Sequence, residues 1–241
     1  MGFETDSWMN MLKKWNELPE FMKTKEVRAY YDILANKELS LGIKRVFDVI
    51  MASVLIVILA IPMLVVAIMI KMDSHGPVFY RQERITTYGK RFLIYKFRTM
   101  VDNAENIGAS VTVGDDARIT RIGKKLRAYR IDELPQLFNV LSGDMSFVGT
   151  RPEVPKYVKH YTKEMYATLL LPAGITSEAS IRYKDEAQLL DAADDVEKTY
   201  VEKILPEKMK YNLKSIRKFS FAGDISVMVR TVFAVLRIGK L

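Results

Sequence analysis

The sequence predicts an α+β, mostly helical fold: one apolar membrane segment, then a compact domain with a small β-hairpin and amphipathic interfacial helices. Three observations support this prediction. Residues 49–70 contain no charged side chain. Two strand-like runs meet at a glycine-containing turn within residues 76–100. Elsewhere, apolar residues recur mostly at helical spacing.

The N-terminal region, residues 1–40, is predicted to be an amphipathic helical extension. Across residues 5–40, apolar side chains recur at intervals of three and four: Trp8, Met11, Leu12, Trp15 and Leu18. Tryptophan combined with lysine suits an interfacial helix or a partner-binding surface. Packing against the rest of the chain explains the same stripe equally well.

The uncharged run VIMASVLIVILAIPMLVVAIMI predicts a helix that enters the membrane, and we assign residues 41–72 to this region. A straight helix of this length is about 33 Å long, near the thickness of the bilayer's hydrocarbon core. Pro62 is expected to kink or break it. Four Lys/Arg lie within residues 28–48 and five within 71–91. Because a spanning helix usually has unequal flanking positive charge, this balance favours a re-entrant hairpin with both ends cytoplasmic over a kinked span.

The domain after the membrane segment, residues 73–241, begins with a predicted β-hairpin. GPVFYRQERI and RFLIYKFRTM read as strands, and TTYGK lies between them as the turn. Gly89 is expected to adopt a positive φ there.

Helices are predicted for the rest of this domain. LPQLFNVL should form a helix that ends at Gly143, with one apolar face made of Leu134, Leu137, Phe138 and Leu141. DEAQLLDAADDVEKTYVEKIL reads as an acidic amphipathic helix closed by Pro206. ISVMVRTVFAVLRI, near the C-terminus, suits either a membrane-surface helix or a core helix.

Composition excludes several classes of protein. The 241 residues are 49% hydrophobic and 27% charged, which excludes a disordered chain and a polytopic membrane protein. The absence of cysteine excludes disulfides and thiolate metal sites. With only His75 and His160, an imidazole-based metal site is not expected.

Positive charge is concentrated in one part of the chain. The net charge is +8, and residues 81–130 contain twelve Lys/Arg against five Asp/Glu. Such a segment suits an anionic partner: nucleic acid, acidic lipid headgroups or a phosphorylated substrate. A solvated charged face is an equally consistent interpretation.

Two adjacent acids, Asp132 and Glu133, follow this basic segment. Asp132 is well placed to cap the helix that follows, since acids and Pro135 suit a helix N-terminus. The neighbouring cations suggest a second role. A helix start with nearby Arg and Lys is suited to phosphate, which an aspartate can attack while a neighbouring glutamate holds Mg²⁺. No GxxxxGK[ST] motif is present, so a nucleoside triphosphatase is not indicated.

Several long motifs occur together and in a characteristic order: KRVFDVIMA, GPVFYRQERI, YKFRTM, DELPQLFNVLSGDMSFVGTRPE and AGITSEAS. In these motifs the chain resembles the bacterial sugar transferases, the monotopic phosphoglycosyl transferases that initiate capsule, exopolysaccharide or O-antigen synthesis. The resemblance covers most of the chain after the first forty residues. It implies transfer of a sugar 1-phosphate from a UDP-sugar to undecaprenyl phosphate, with release of UMP.

The resemblance also implies roles for individual residues. Asp132 corresponds to the nucleophile that forms an aspartyl-phosphosugar intermediate, and Glu133 to the residue that supports Mg²⁺. The implied phosphate- or nucleotide-binding residues are Lys96, Arg98 and Arg151, with Arg84 and Asp144 as weaker candidates. Pro62 corresponds to the break in a re-entrant helix-break-helix, which places the catalytic domain on the cytoplasmic face of the cell membrane.

The implied partners are a UDP-sugar, a polyprenyl phosphate and membrane lipid, but not nucleic acid. The alternative is a non-catalytic, membrane-tethered basic module that binds acidic lipid or nucleic acid. The sequence leaves open the sugar, the pathway and whether the chain forms a homodimer.

Overall fold

The computed structural model describes residues 12–104, 116–183, 186, 190 and 195–236. Its α-helices are α1 (Lys25–Ala35), α2 (Glu38–Asp73), α3 (Arg121–Ala128), α4 (Gln136–Ser142), α5 (Pro155–Val158), α6 (Glu178–Arg182), α7 (Val196–Thr199), α8 (Leu205–Arg217) and α9 (Phe221–Leu236). Its strands are β1 (Phe79–Ile85), β2 (Arg91–Phe97), β3 (Met145–Val148) and β4 (Ala173–Thr176). The mostly helical α+β class is confirmed.

The predicted hairpin is present. β1 and β2 pair antiparallel, with Phe79 opposite Phe97, and Gly89 in the turn has the expected positive φ of 78°. A second sheet, in which β3 pairs parallel with β4, was not predicted. Each of its strands has only four residues, which is too short for an alternating pattern to identify.

The membrane segment forms a single helix, α2, of 36 residues. The helix is continuous through Pro62 rather than interrupted there, while the predicted re-entrant path through the membrane stays a prediction. A proline removes one backbone donor, but the turns on either side retain theirs, so a helix can continue past it.

Most of the apolar stretch of α2 is exposed. Only 6% of its most apolar window is buried, and it is the one helix among the described residues long and apolar enough to cross a membrane. Val57 and Ile61 are each 75% exposed. Since so much exposed apolar surface is unfavourable in water, this helix indicates membrane association.

Both ends of α2 contact the domain. Near its start, Arg45 donates to the carbonyl oxygens of Val140 at 2.7 Å and Leu141 at 3.0 Å. At its end, Asp73 accepts a hydrogen bond of 2.9 Å from the backbone N–H of Ile122. The long helix is therefore fixed to the domain at two separate points.

The described part of the N-terminal extension is not one continuous helix. Two 3₁₀ turns (Trp15–Glu17 and Glu20–Met22) precede α1, with Pro19 between them. Leu18, Met22 and Leu34 are buried in the main core, which confirms the packing interpretation for these residues. Trp8 and Met11 lie outside the described residues.

The main core joins the N-terminal extension to the C-terminal helices. Its other large buried members include Tyr161, Leu170, Met209 and Leu213. The predicted stop at Pro206 is wrong, because a π-helical turn (Tyr200–Ile204) leads directly into α8. Pro206 lies in the first turn of α8, where its missing N–H needs no partner. Of the predicted acidic helix, only Glu186, Leu190 and residues from 195 onward are described.

Two helices present apolar side chains to the exterior. α4 ends at Gly143 as predicted, but Phe138 and Leu141 are 42% and 40% exposed, so they do not form a core-facing stripe with Leu137. α9 has no buried residue, which excludes the core-helix interpretation. Its polar side is attached to α2 through an ion pair of 2.6 Å between Asp224 and Lys44.

Candidate active site

The two acids lie on a short helical turn ahead of α4. A 3₁₀ turn (Ile131–Glu133) carries them, and Arg130 before it has a left-handed φ of 56°. The N-cap of α4 is Pro135, and no side chain caps this helix. The capping role predicted for Asp132 is therefore wrong, and its burial must have another reason.

Asp132 is a buried carboxylate without a hydrogen-bond partner for one of its oxygens. The residue is 8% exposed, and its Oδ1 is buried with no partner. Burial raises the pKa of Asp132, Lys96 opposes this shift, and the negative charge of Glu133 adds to it. Because an unpaired buried acceptor is unfavourable, this arrangement is typical of a functional group rather than a structural one.

Glu133 is held by two cations. Its Oε1 accepts hydrogen bonds from Lys96 Nζ at 2.8 Å and from Arg151 Nη2 at 2.6 Å. Burial alone would raise the pKa of Glu133, but Arg151 and Lys96 together bring it well below its usual value. Glu133 is therefore ionised at neutral pH.

Three separate parts of the chain meet at this carboxylate. Lys96 comes from β2, opposite Tyr80 in the hairpin. Arg151 comes from the loop after β3, and Glu133 from the turn before α4. Burial lowers the pKa of Lys96, whereas Glu133 raises the pKa of Arg151.

Asn139 fixes α4 against the hairpin. Its Oδ1 accepts from the backbone N–H of Tyr95 at 3.0 Å, and its Nδ2 donates to the carbonyl of Leu93 at 2.9 Å. Both partners lie on β2, the strand that carries Lys96. This contact places the lysine beside the acidic turn.

Arg127 is a site residue that sequence reasoning missed. It lies on α3, and burial lowers the pKa of its guanidinium while Asp132 counteracts this shift. Arg127 in turn helps to limit the rise in the pKa of Asp132. The only signal in the sequence was the basic run RIGKKLRAYR, which does not distinguish Arg127 from its exposed neighbours.

Arg98 does not join this cluster. Its guanidinium donates to the carbonyl of Ser74 at 2.7 Å and to the carbonyl of His75. It therefore secures the segment just after α2.

Asp144 has a comparable connecting role. It accepts from Lys90 Nζ at 2.8 Å and from Ser142 Oγ at 2.9 Å. Its backbone carbonyl accepts from Thr86 Oγ1 at 2.6 Å. These contacts join the start of β3 to the hairpin turn.

Arg84 lies on β1 and contacts the loop that follows Arg151. It donates to the carbonyl of Pro152 at 3.1 Å and to Gln82 Oε1 at 2.5 Å, and its buried Nε has no partner. Burial lowers its pKa, and Glu153 opposes that shift. Arg84 thus supports the loop that presents Arg151.

The residues present fit Mg²⁺ as a ligand shared with a substrate. No cluster of three or more His, Cys, Asp or Glu occurs in the described ranges. However, Oε2 of Glu133 has only a long contact of 3.5 Å to Arg151, so this oxygen is available to a cation. Mg²⁺ in phosphate chemistry commonly takes one or two carboxylates, with phosphate and water oxygens completing its shell.

The chain matches a known protein family over most of its length. The family model described as "Bacterial sugar transferase" matches residues 39–238. This chain belongs to the bacterial sugar transferase family. The match includes every predicted site residue of this sugar transferase, from Pro62 to Arg151, and confirms the resemblance stated above.

The chain is also similar to individual sugar phosphotransferases from several bacteria. A UDP-N-acetylgalactosamine-undecaprenyl-phosphate N-acetylgalactosaminephosphotransferase of Aeromonas hydrophila is 36% identical over 80% of this chain and 44% of its own length. A proposed undecaprenyl-phosphate N-acetylgalactosaminyl 1-phosphate transferase of Bacillus subtilis is 45% identical over 61% of this chain and 82% of its own. A UDP-glucose:undecaprenyl-phosphate glucose-1-phosphate transferase of Caulobacter vibrioides is 35% identical over 80% and 69%. This sugar transferase thus spans less than half of the Aeromonas relative.

Proposed function

We propose that this protein transfers a sugar 1-phosphate from a UDP-sugar to undecaprenyl phosphate and releases UMP. One observation carries the proposal: Asp132 is buried with an unpartnered oxygen, directly beside Glu133, which Lys96 and Arg151 hold. The names of the relatives support the same reaction class.

In the first step, a carboxylate oxygen of Asp132 attacks the phosphorus that bears the sugar. The new bond joins Asp132 to that phosphorus. The bond from phosphorus to the bridging oxygen breaks, and UMP leaves with its electron pair. An aspartyl-phosphosugar remains on the protein.

In the second step, a phosphate oxygen of undecaprenyl phosphate attacks the same phosphorus. The bond to Asp132 breaks, its carboxylate is restored, and the polyprenyl diphosphate sugar departs. Two steps are favourable here because the two anionic substrates need not occupy the site together.

The surrounding cations have distinct roles in this proposal. Arg127 and Lys96 offset the charge that develops on the phosphate oxygens. Arg151 holds Glu133 in its ionised form. Glu133 would hold Mg²⁺ together with the substrate phosphates, and bound Mg²⁺ would neutralise negative charge on those oxygens.

A re-entrant α2 would place this site at the level of the lipid phosphate, on the cytoplasmic face. Support comes from the two contacts that α2 makes with one domain, at Arg45 and at Asp73. A helix that crossed the bilayer would carry one of these ends to the opposite side. The exposed apolar residues between them would then be covered by one leaflet.

The test is a UMP-release assay on the purified full chain in detergent with undecaprenyl phosphate and Mg²⁺. The donor panel begins with UDP-N-acetylgalactosamine and UDP-glucose, the sugars in the relatives' names. At least one UDP-sugar should release UMP, and Asp132→Asn should not. Near-normal turnover by Asp132→Asn would disprove the nucleophile assignment.

A further inference from the structure

A second buried polar group lies one turn after Asp132. Gln136 is the first residue of α4 and is 0% exposed. Both its Nε2 and its Oε1 are buried without a hydrogen-bond partner. An unpaired buried amide is strongly unfavourable, so such a group is rarely retained for packing alone.

The other buried amide on the same helix provides a comparison. Asn139 is 1% exposed, and both ends of its amide are hydrogen-bonded to β2. The packing of α4 against the hairpin is therefore already secured three residues further along. Gln136 makes no such contact.

Gln136 follows Asp132 by four residues along a right-handed helical backbone. Leu134 and Pro135, between the 3₁₀ turn and α4, both have right-handed helical dihedral angles. Residues four apart on a helical path are neighbours, and Gln–Asp hydrogen bonds are known at this spacing. Asp132 and Gln136 are thus about one turn apart along the backbone, and each has a buried side-chain group without a hydrogen-bond partner.

We propose that Gln136 is a positioning residue that donates its amide N–H to Oδ1 of Asp132 during the reaction. This inference rests on the proposed function. With Oδ1 held, Oδ2 is the oxygen that bonds to phosphorus. In the second step, the same donor stabilises the carboxylate as it leaves.

The test compares two replacements of similar shape in the full chain. Gln136→Met removes the amide, and Gln136→Glu replaces the N–H donor by an oxygen. Leu137→Met is the matched control, because it changes a buried neighbour with little change in volume. UMP-release kinetics and thermal unfolding are measured for each variant.

The expected result distinguishes a role of Gln136 in positioning Asp132 from a role in packing alone. Gln136→Met should unfold at or above the wild-type temperature, because it removes an unpaired buried amide. Its kcat should fall about tenfold or more while KM for both substrates stays within about twofold, which is the pattern of an interaction that matters in the transition state. Leu137→Met should retain wild-type kcat.

Other outcomes overturn the proposal in distinguishable ways. If the wild type is active and Asp132→Asn is not, but Gln136→Met retains most of its kcat, the role of Gln136 is wrong and the proposed function stands. If both replacements of Gln136 fail to fold, its role is structural. If the wild type releases no UMP, or Asp132→Asn is fully active, the proposed function fails and this inference fails with it.

Discussion

Arg45 on α2 and Val140 on α4 are joined by a hydrogen bond of 2.7 Å from the guanidinium to the backbone carbonyl. The same guanidinium reaches Leu141 O at 3.0 Å. A cation at the C-terminal end of a helix is favourable because the last carbonyl groups there lack partners. This contact fixes the lipid-facing helix to the helix that follows the acidic turn.

Arg45→Met should therefore weaken both the fold and the reaction. Losing two hydrogen bonds from a charged donor should cost about 1–3 kcal/mol of unfolding free energy. UMP release should also fall, since α4 would be held less firmly. The control is Arg91→Met, which removes an exposed pair with Glu83 in the hairpin and should change stability by less than about 1 kcal/mol. Equal unfolding temperatures for the two variants would contradict this prediction.

Lys96→Met should reduce activity far more than stability. Lys96 pairs with Glu133 at 2.8 Å, and its loss leaves this carboxylate with Arg151 alone. We expect kcat to fall on the order of 10²-fold, as when one electrostatic stabiliser is removed from an active site. Lys90→Met on the same hairpin is the control, because Lys90 is 68% exposed and pairs with Asp144. A comparable loss in kcat with Lys90→Met would rule out a specific role for Lys96.

Asp132→Asn should abolish UMP release without lowering thermal stability. Burial raises the pKa of Asp132, so the ionised carboxylate lowers the unfolding free energy at neutral pH. A neutral amide at this position does not. One pKa unit corresponds to about 1.4 kcal/mol. As pH falls through the raised pKa, the wild-type carboxyl becomes neutral. The variant's advantage in unfolding free energy over the wild type should therefore shrink. Unfolding curves at several pH values measure this, and an advantage that grows toward low pH would contradict it.

Both ends of α2 should be inaccessible from outside intact cells. The chain has no cysteine, so single cysteines can be introduced at Glu38 and at Met72, which is 82% exposed. Neither should react with an impermeant thiol reagent, whereas both should react once the cells are permeabilised. Labelling of either position in intact cells would exclude the re-entrant topology.

The elements that the sequence predicted correctly are those that a short stretch of residues specifies by itself. The hairpin, α2, and α4 with its end at Gly143 follow from alternation, an apolar run and a helix-stop signal. The orientation of α4 did not follow, since Phe138 and Leu141 are apolar yet face outward. An apolar side chain suits lipid as well as a protein core, so periodicity alone could not separate the two.

The contacts within the site could not be predicted without the tertiary structure. Glu133 is 37 residues from Lys96 and 18 from Arg151 along the chain, and no sequence pattern brings them together. The motifs indicated which residues matter, but not that Arg98 binds the carbonyls of Ser74 and His75. The sequence also favoured Asp132 as a helix cap, because capping residues and buried nucleophiles look alike before the fold is known.

The helix α2 both presents an apolar surface for the membrane and contributes side chains to the protein interior. Its residues Leu41, Lys44, Asp48, Ala52 and Ile70 are buried against the domain. A fragment that begins after residue 73, prepared to avoid detergent, would thus lack part of the protein interior. A water-soluble version of this transferase would instead have to keep the helix and exchange only the outward-facing aliphatic side chains, such as Val57 and Ile61, for polar ones.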